Sequence, residues 1–422
     1  MQMLTRPQTP HVVAEAVLLR HLPAVHGELR CDDDDLRRAQ LAGELQRAEA
    51  PHAVPRDPDA VGVESARALR GLHQRHDELL GSGVRPPPLR LLDDLADHLL
   101  ALRGGEVLGD LDHESMAHGL VTTAGTVSHT GVGGYTLGGG FGRLNRKYGL
   151  TIDNLTGAHI VTADGNSRWV SAEQEPDLFW ALRGGGGNFG VVTSFLFQLH
   201  EMQRDVVTGF IAFPLSEAKQ ILSFYAEYTE NIPDELSIGA GVGSRLGQEP
   251  GVAMYFVWSG DPAEAEKHIE PLRKAGTVVA ENVRQMDYVA VQRSGDMEDT
   301  RTFTGHMKSG FFDSLSQELI DGLVDNFEAH PDRATRFGFG RMGGAIGRVG
   351  NGDTAFSQRD AGFSSLSFVS WKTEMDGEEH VRYINSHWSH AEPFMTGFYV
   401  NDYFDQSQES VNRTYRDNFP RL

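Results

Sequence analysis

Seven of the twelve residues from Gly131 to Gly142 are glycine, in the order Gly131-Val132-Gly133-Gly134-Tyr135-Thr136-Leu137-Gly138-Gly139-Gly140-Phe141-Gly142. Each glycine inside a helix or strand costs about 0.5–1 kcal/mol relative to alanine, so this density excludes the interior of either element and reads as turns. Such turns let main chain approach something closely. A second glycine run, Gly184 to Gly187, lies about fifty residues beyond the start of the first.

Between and after the two runs the pattern is legible. Leu155 to Thr162 is apolar, Ala163-Asp164-Gly165-Asn166 carries an Asp-Gly turn, and Ser167 to Ala172 returns, which predicts a hairpin. Pro176 opens a short helix through Leu182, and Phe189 to Leu199 is rich in β-branched and aromatic residues, as a strand requires. Upstream, residues 109–119 read as a helix with Asp110 as N-cap and Gly119 as the stop.

Gly185-Gly186-Gly187-Asn188-Phe189-Gly190 formally matches G-x-G-x-x-G. In a dinucleotide-binding βαβ unit that loop follows a strand and opens a helix, whereas here it follows a helix and opens a strand. Neither G-x-x-x-x-G-K-[ST] nor H-E-x-x-H occurs, which leaves nucleoside triphosphate hydrolysis and zinc proteolysis unsupported. Successive backbone N–H groups in glycine loops form concave anion sites, and glycine admits a phosphate or a flat ring. The two runs therefore point to a phosphate-bearing cofactor between residues 125 and 192. The competing reading is glycine used only for close strand packing.

From residue 206 strands alternate with amphipathic helices. Strands are predicted over 206–213, 236–242, 252–258, 366–371 and 396–400, and helices over 216–228, 262–274 and 378–390. Asp261-Pro262 supplies an N-cap and a proline at the first helical position. This order fits an α+β layer, an antiparallel sheet covered by helices on one face.

Composition narrows the function classes. The 59 Asp and Glu against 38 Lys and Arg give a net charge of −21, which opposes binding to nucleic acid or an anionic membrane. The single cysteine, Cys31, permits no internal disulfide and no Cys-based metal site. No run of 18 apolar residues and no signal-peptide pattern occurs, so the expectation is a soluble cytoplasmic protein, of undefined oligomeric state. Lysine is confined to positions 147, 219, 267, 274, 308 and 372, and both a high-salt cytoplasm and an ordinary acidic protein explain that surface. His387 and His390 at i, i+3 could share a metal, but solvent-facing helix positions are the preferred reading, and no metal site is expected. The Asp32–Asp35 run reads as a solvated charge cluster.

The opening segment is different in kind. With aromatics at 9% of the chain, the first hundred residues should hold about nine, and they hold none. The first Asn, Lys and Ile appear at 145, 147 and 152, so residues encoded by AT-rich codons are missing. Three readings of residues 1–104 compete: an Arg/Ala/Leu-rich helical segment, a disordered extension, or translation in the wrong frame.

The stretches Gly125-Thr126-Val127-Ser128-His129-Thr130-Gly131 through Gly142, Arg146-Lys147-Tyr148-Gly149-Leu150-Thr151-Ile152-Asp153-Asn154-Leu155, and Asp177-Leu178-Phe179-Trp180-Ala181-Leu182-Arg183-Gly184 through Gly190 together resemble the FAD-linked oxidases of the berberine-bridge-enzyme-like group. Tyr399-Val400-Asn401 is similar to that family's Tyr-x-Asn. The resemblance implies a PCMH-type FAD-binding domain of two α+β subdomains, the first incomplete here, plus a substrate domain whose antiparallel sheet covers the isoalloxazine. On that basis residues 105–205 are the FAD domain, 206–390 the substrate domain, and 391–422 a truncated return to the FAD domain. It also implies oxidation of an alcohol, hemiacetal or related C–H of a small molecule by hydride transfer to flavin N5, with dioxygen as acceptor.

Carried over position by position, Gly125, Thr126, Val127, Ser128, His129 and Thr130 would line flavin and pyrophosphate, with Gly133, Tyr135, Gly138 and Asn401 beside them. Gly187, Asn188, Gly190 and Val192 would contact the cofactor's other side. Tyr399 would be the base; with an ordinary pKa of about 10 it needs a lowered pKa or concerted transfer. The competing reading of Tyr399 is an aromatic packed in a central strand. Thr130 falls where the family modulates oxygen access.

Three departures accompany the resemblance. The cysteine that some members bond to flavin falls at Val127, and their ring-contacting histidine at Tyr135. The family's Arg-Gly-Gly-Gly-His loop has only Arg70-Gly71-Leu72-His73 near its expected place. The expectation is therefore FAD held without a covalent bond. The alternative is a truncated or misread remnant that cannot hold FAD and is no enzyme.

Overall fold

The computed structural model describes residues 90–91, 98–243, 249–296, 303–330, 335–402 and 407–422. Cys31, the Asp32–Asp35 run and His73 lie outside the described residues, as does the rest of the aromatic-free segment up to 97 apart from Arg90 and Leu91.

The N-terminal half is built on a five-stranded antiparallel sheet in the order β1 (Arg90–Leu91), β2 (Leu99–Arg103), β6 (Val191–Gln198), β4 (Leu155–Val161), β5 (Ser167–Ser171). The hairpin predicted at 155–172 is β4–β5, and the helix at Pro176–Leu182 (α4) has the predicted ends. The boundary placed at residue 105 is too late. Leu99–Arg103 pairs with β6, from Leu99 opposite Gln198 to Arg103 opposite Ser194, so a run of four apolar residues closed by Arg103 inside the atypical segment is a sheet strand. Leu100 and Leu102 enter the core with Leu155, Ile160, Phe195 and Phe197.

Helix α1 covers Leu108–Ala117. Asp110 is its third residue rather than its N-cap, its carboxylate accepting from the Val107 N–H at 3.4 Å. The glycine block is not all turn: Val132–Leu137 forms a short helix, α2, with Gly138 at its C-cap. The propensity cost is met there because α2 packs onto the Gly104 carbonyl, where a β-carbon on Gly133 would stand 3.0 Å away. A one-turn helix, α3, follows at Asn145–Tyr148.

The second half is an eight-stranded antiparallel sheet in the order β11 (Ala280–Asp287), β8 (Asp205–Pro214), β10 (Gly251–Trp258), β9 (Leu236–Gly243), β13 (Thr335–Arg341), β14 (Phe363–Lys372), β12 (Phe303–Phe312), β15 (Met395–Gly397). Helices α5 (Ala218–Tyr228), α6 (Ala265–Arg273), α8 (Gln317–Glu328) and α9 (Glu378–Ser389) supply the apolar stripes predicted for an α+β layer. One sheet face buries Ile238, Ala240, Val242, Met254, Phe337 and Phe339 against Ile221, Leu272, Leu323 and Trp388. Truncating a buried phenylalanine such as Phe339 to alanine would cost about 3–5 kcal/mol. The opposite face faces the N-terminal half.

The predicted strand at 396–400 stops at Gly397. Tyr399 lies in the turn beyond, so it is not an aromatic of a central strand; β15 is an edge strand on β12. Residues 395–397 thus still belong to the large sheet, and the chain returns to the glycine loops only afterwards. It does so through Tyr399–Asn401, helix α10 (Gln408–Tyr415) and the terminal turn, where the Tyr415 hydroxyl donates to the Gly185 carbonyl at 3.3 Å. A buried ion pair also ties the halves together: Arg359, 1% exposed, reaches both oxygens of Asp153 at 2.6 and 2.9 Å.

Candidate active site

The two glycine runs meet. The Leu137 carbonyl at the end of α2 accepts from Gly184 N at 3.1 Å and Gly186 N at 3.0 Å. The Tyr399–Asn401 turn closes over both. Gly140 N and Asn401 Nδ2 donate to the Tyr399 hydroxyl oxygen at 3.1 and 2.9 Å, and Asn401 Nδ2 donates to the Tyr135 carbonyl at 3.1 Å. A β-carbon on Gly138 would overlap the Asn401 amide, and one on Gly186 would come within 3.9 Å of Val400. Glycine at 138 is therefore what lets the Tyr-x-Asn turn sit down.

Beneath this turn a cavity of about 410 Å³ separates the loop 126–127 and residues 141–145 from the free face of the large sheet. Its floor is made of glycine pairs in register, Gly239 opposite Gly340 and Gly241 opposite Gly338. Tyr255 lies over Gly239, where a β-carbon would overlap its ring. The walls carry Tyr399, Asp402, Ser309, Ser364, Arg143 and Arg336. Phe141 packs edge-on to the Tyr399 ring at 4.7 Å between centroids.

Thr126 and Val127 line this cavity. Gly125 is buried and its carbonyl accepts from Gln292 Nε2 at 2.9 Å; the same amide reaches Asp112 Oδ2 at 3.2 Å, and Gln292 Oε1 accepts from Arg143 Nη1 at 2.7 Å. Burial pushes the Asp112 carboxyl up to about 7. Ser128 donates through its N–H at 2.7 Å and through its hydroxyl to the Asp296 carboxylate, with the exposed His129 ring 3.7 Å from the same group. Gln292 ends helix α7 (Tyr288–Arg293), so one segment of the second half grips the loop at both ends. That segment was not foreseen, since its polar residues carry no motif.

Thr130 is half-buried, its carbonyl accepting from Leu108 N at 2.9 Å. Tyr135 donates to the Phe141 carbonyl at 2.6 Å, and burial holds its pKa well above the ordinary phenol value. Gly187 and Asn188 are exposed, and Gly190 (φ +145°) presses on the Val161 carbonyl, a backbone conformation that favours glycine. The Val192 side chain packs in the core of the five-stranded sheet, and its neighbour Val191 is 69% exposed. Burial first and Asp402 second push the Tyr399 phenol up, the opposite of a lowered pKa, and concerted transfer is the other expected route. His387 is not solvent-facing either; it is fully buried against Asn326 (3.2 Å), and desolvation lowers its pKa to about 3. Among the described residues no group of three or more metal-ligating side chains gathers.

A flat, phosphate-bearing ligand fits this arrangement. β-Carbons on Gly131, Gly134 and Gly187 would meet nothing within 4 Å, so these glycines face open space beside the loops that hold Thr126 and Asn188. Among the described residues no thiol lines the cavity, and position 127 is valine.

Comparison with known proteins agrees. Residues 90–171 match the FAD binding domain model. An FAD-linked oxidoreductase of Dictyostelium discoideum is 29% identical over 312 residues, 73% of this chain and 68% of that protein. The (R)-6-hydroxynicotine oxidase of Paenarthrobacter nicotinovorans is 35% identical over 258 residues, 58% of this chain and 56% of the relative. The solved structure of BBE-like protein 28 from Arabidopsis thaliana superposes with a TM-score of 0.69 at 22% identity, covering 79% of this chain and 76% of that one.

Proposed function

Because this chain is an FAD-dependent oxidoreductase of the berberine-bridge-enzyme-like, PCMH-type group, we propose that it oxidises an alcohol, hemiacetal or related C–H of a small molecule at the cavity beneath Tyr399, with dioxygen as electron acceptor. The convergence of Thr126, Val127 and Tyr399 on one cavity, under loops already joined through Leu137, carries this reading. One relative is, by name, an oxidase of a small molecule, (R)-6-hydroxynicotine.

In this reading residues 125–130, Gly133, Tyr135, Gly138 and Asn401 hold one side of FAD and Gly187, Asn188 and Gly190 the other. The cofactor is held without a covalent bond, since Val127 has no nucleophile. Bound FAD supplies the hydride acceptor. Residues 105–205 with the preceding strand β2 form the FAD domain, and the large sheet forms the substrate domain. Tyr399 accepts two hydrogen bonds at its oxygen, so its own O–H is free to donate into the cavity, where it orients the substrate oxygen. Gly140, Asn401 and the Phe141 ring hold that phenol in place between loop and sheet.

The test is anaerobic mixing of the purified protein with a panel of primary and secondary alcohols, aldoses and cyclic amines. Bleaching of the flavin spectrum by a member, with hydrogen peroxide formed once air is admitted, is the expected result. A flavoprotein that no member bleaches overturns the substrate assignment, and bleaching without peroxide overturns the oxygen assignment.

A further inference from the structure

A substrate hydroxyl that becomes a carbonyl loses a proton, and the cavity must contain a group able to take it. Tyr399 is a poor acceptor at neutral pH, its phenol being pushed above the ordinary value. Tyr255 is pushed up to about 12 by burial. The guanidinium groups of Arg143, Arg336 and Arg341 have no acceptor site. The other lining residues are glycines, hydroxyl residues, one asparagine and apolar side chains. Among the described lining residues there is no histidine, and a single carboxylate, Asp402.

Asp402 stands three residues beyond Tyr399, on a turn closed by its own N–H donating to the Tyr399 carbonyl at 3.0 Å. Both side chains reach the same cavity. We propose that Asp402 is the proton acceptor of the oxidation, with Tyr399 orienting the substrate oxygen beside it. The inference rests on the oxidative reading above. In balance, the substrate C–H and O–H bonds break and a C=O bond forms; bound FAD would supply the acceptor for the hydride, and the proton ends on an Asp402 oxygen.

The groups that act on or feel Asp402 are the Tyr399 phenol on its own turn and the Ser309 hydroxyl of β12, and the cations Arg143, Arg336 and Arg341 line the same cavity. Burial raises the carboxyl to about 6, with Ser309 acting the other way. That places the acceptor near neutrality, where a general base works best. The carboxylate form is the active one, so the rate of substrate oxidation rises with pH through about 6.

The experiment is single-turnover flavin reduction across pH in the FAD-loaded wild type, Asp402→Asn, Asp402→Glu and Tyr399→Phe, each with its flavin content measured. The expected result is a fall of about 100-fold or more in Asp402→Asn with loss of the acid limb, a limb retained in Asp402→Glu, and a slowed Tyr399→Phe that keeps it. An Asp402→Asn protein that reduces at the wild-type rate, or keeps the limb, overturns the assignment. A second readout needs no substrate: NMR titration of carboxyl-labelled aspartate, compared with Asp402→Asn. A resonance titrating near pH 6 that the variant lacks supports the proposal, and one titrating at the ordinary value near 4 overturns it. If no compound reduces the wild type, the oxidative reading fails on its own while this titration still decides the state of Asp402.

Discussion

Glycine is concentrated in two regions, the loops at 131–142 and 184–190 and the cavity-facing side of strands β9 and β13, and a methyl group added in each would meet different things. At Gly142 it would overlap the Ala124 carbonyl and at Gly190 the Val161 carbonyl, so the chain path itself requires glycine. At Gly131, Gly134 and Gly187 it would meet nothing. At Gly338 and Gly340 on the sheet it would stand 2.9 Å from the Ala240 carbonyl and 3.1 Å from the Ser364 hydroxyl. The loops use glycine to bend and to leave room for a ligand. The sheet uses it to deepen a floor whose reverse side is packed with Ile238, Ala240, Phe337 and Phe339. On the proposed function, one half is shaped for the cofactor and the other for the substrate.

That division can be broken most forcefully at the joint between the halves. Asp153→Ala leaves Arg359 charged and buried without its partner, and should cost about 3–5 kcal/mol in chemical denaturation, with flavin lost in parallel. An unchanged midpoint would mean that the halves do not depend on this pair. Next in size, Tyr399→Phe should slow flavin reduction about 100-fold with FAD binding unchanged. An equal loss of FAD would move Tyr399 from the substrate side to the cofactor side.

Gly134→Ala sharpens the comparison on the loop side. A β-carbon there meets open space within helix α2, so the cofactor-free protein should gain about 0.5 kcal/mol, while FAD affinity falls about tenfold if the cofactor covers this glycine. Calorimetry with and without FAD separates the two. The smallest effect belongs to the floor: Gly340→Ala meets a rotatable hydroxyl, so stability should change by less than about 1 kcal/mol and KM rise a few-fold with FAD affinity unchanged. A shift in FAD affinity instead would mean that the sheet, too, holds the cofactor.

Local signals carried much of this fold in the sequence. The Asp-Gly turn, Pro176 at a helix start and the alternation on β9 and β10 are short-range features, and the structure repeats them within a residue or two. The strands β11 to β13 and helices α7 and α8 were not foreseen, because Ala280–Asp287 has an edge strand's mixed exposure and Thr335–Arg341 alternates phenylalanine with glycine. Helix α2 hid behind its glycines, of which Gly133 lies against the Gly104 carbonyl, almost thirty residues earlier, and Gly134 against open space. The site was legible where a motif ran through it, at residues 125–142, 184–190 and 399–401. It was illegible where contacts are long-range: Gln292 and Asp296 grip a loop more than 160 residues earlier, and Asp402 lies one residue past the end of the Tyr-x-Asn pattern.

The central claim is that the two joined glycine loops hold FAD over the sheet's glycine floor without a covalent bond. The visible spectrum of the purified protein, supplemented with FAD and desalted, then read again after acid precipitation, tests it most directly. A flavin band that survives desalting and passes into the acid supernatant is the expected result. A folded protein that emerges colourless, or a yellow pellet that keeps its flavin, would contradict it.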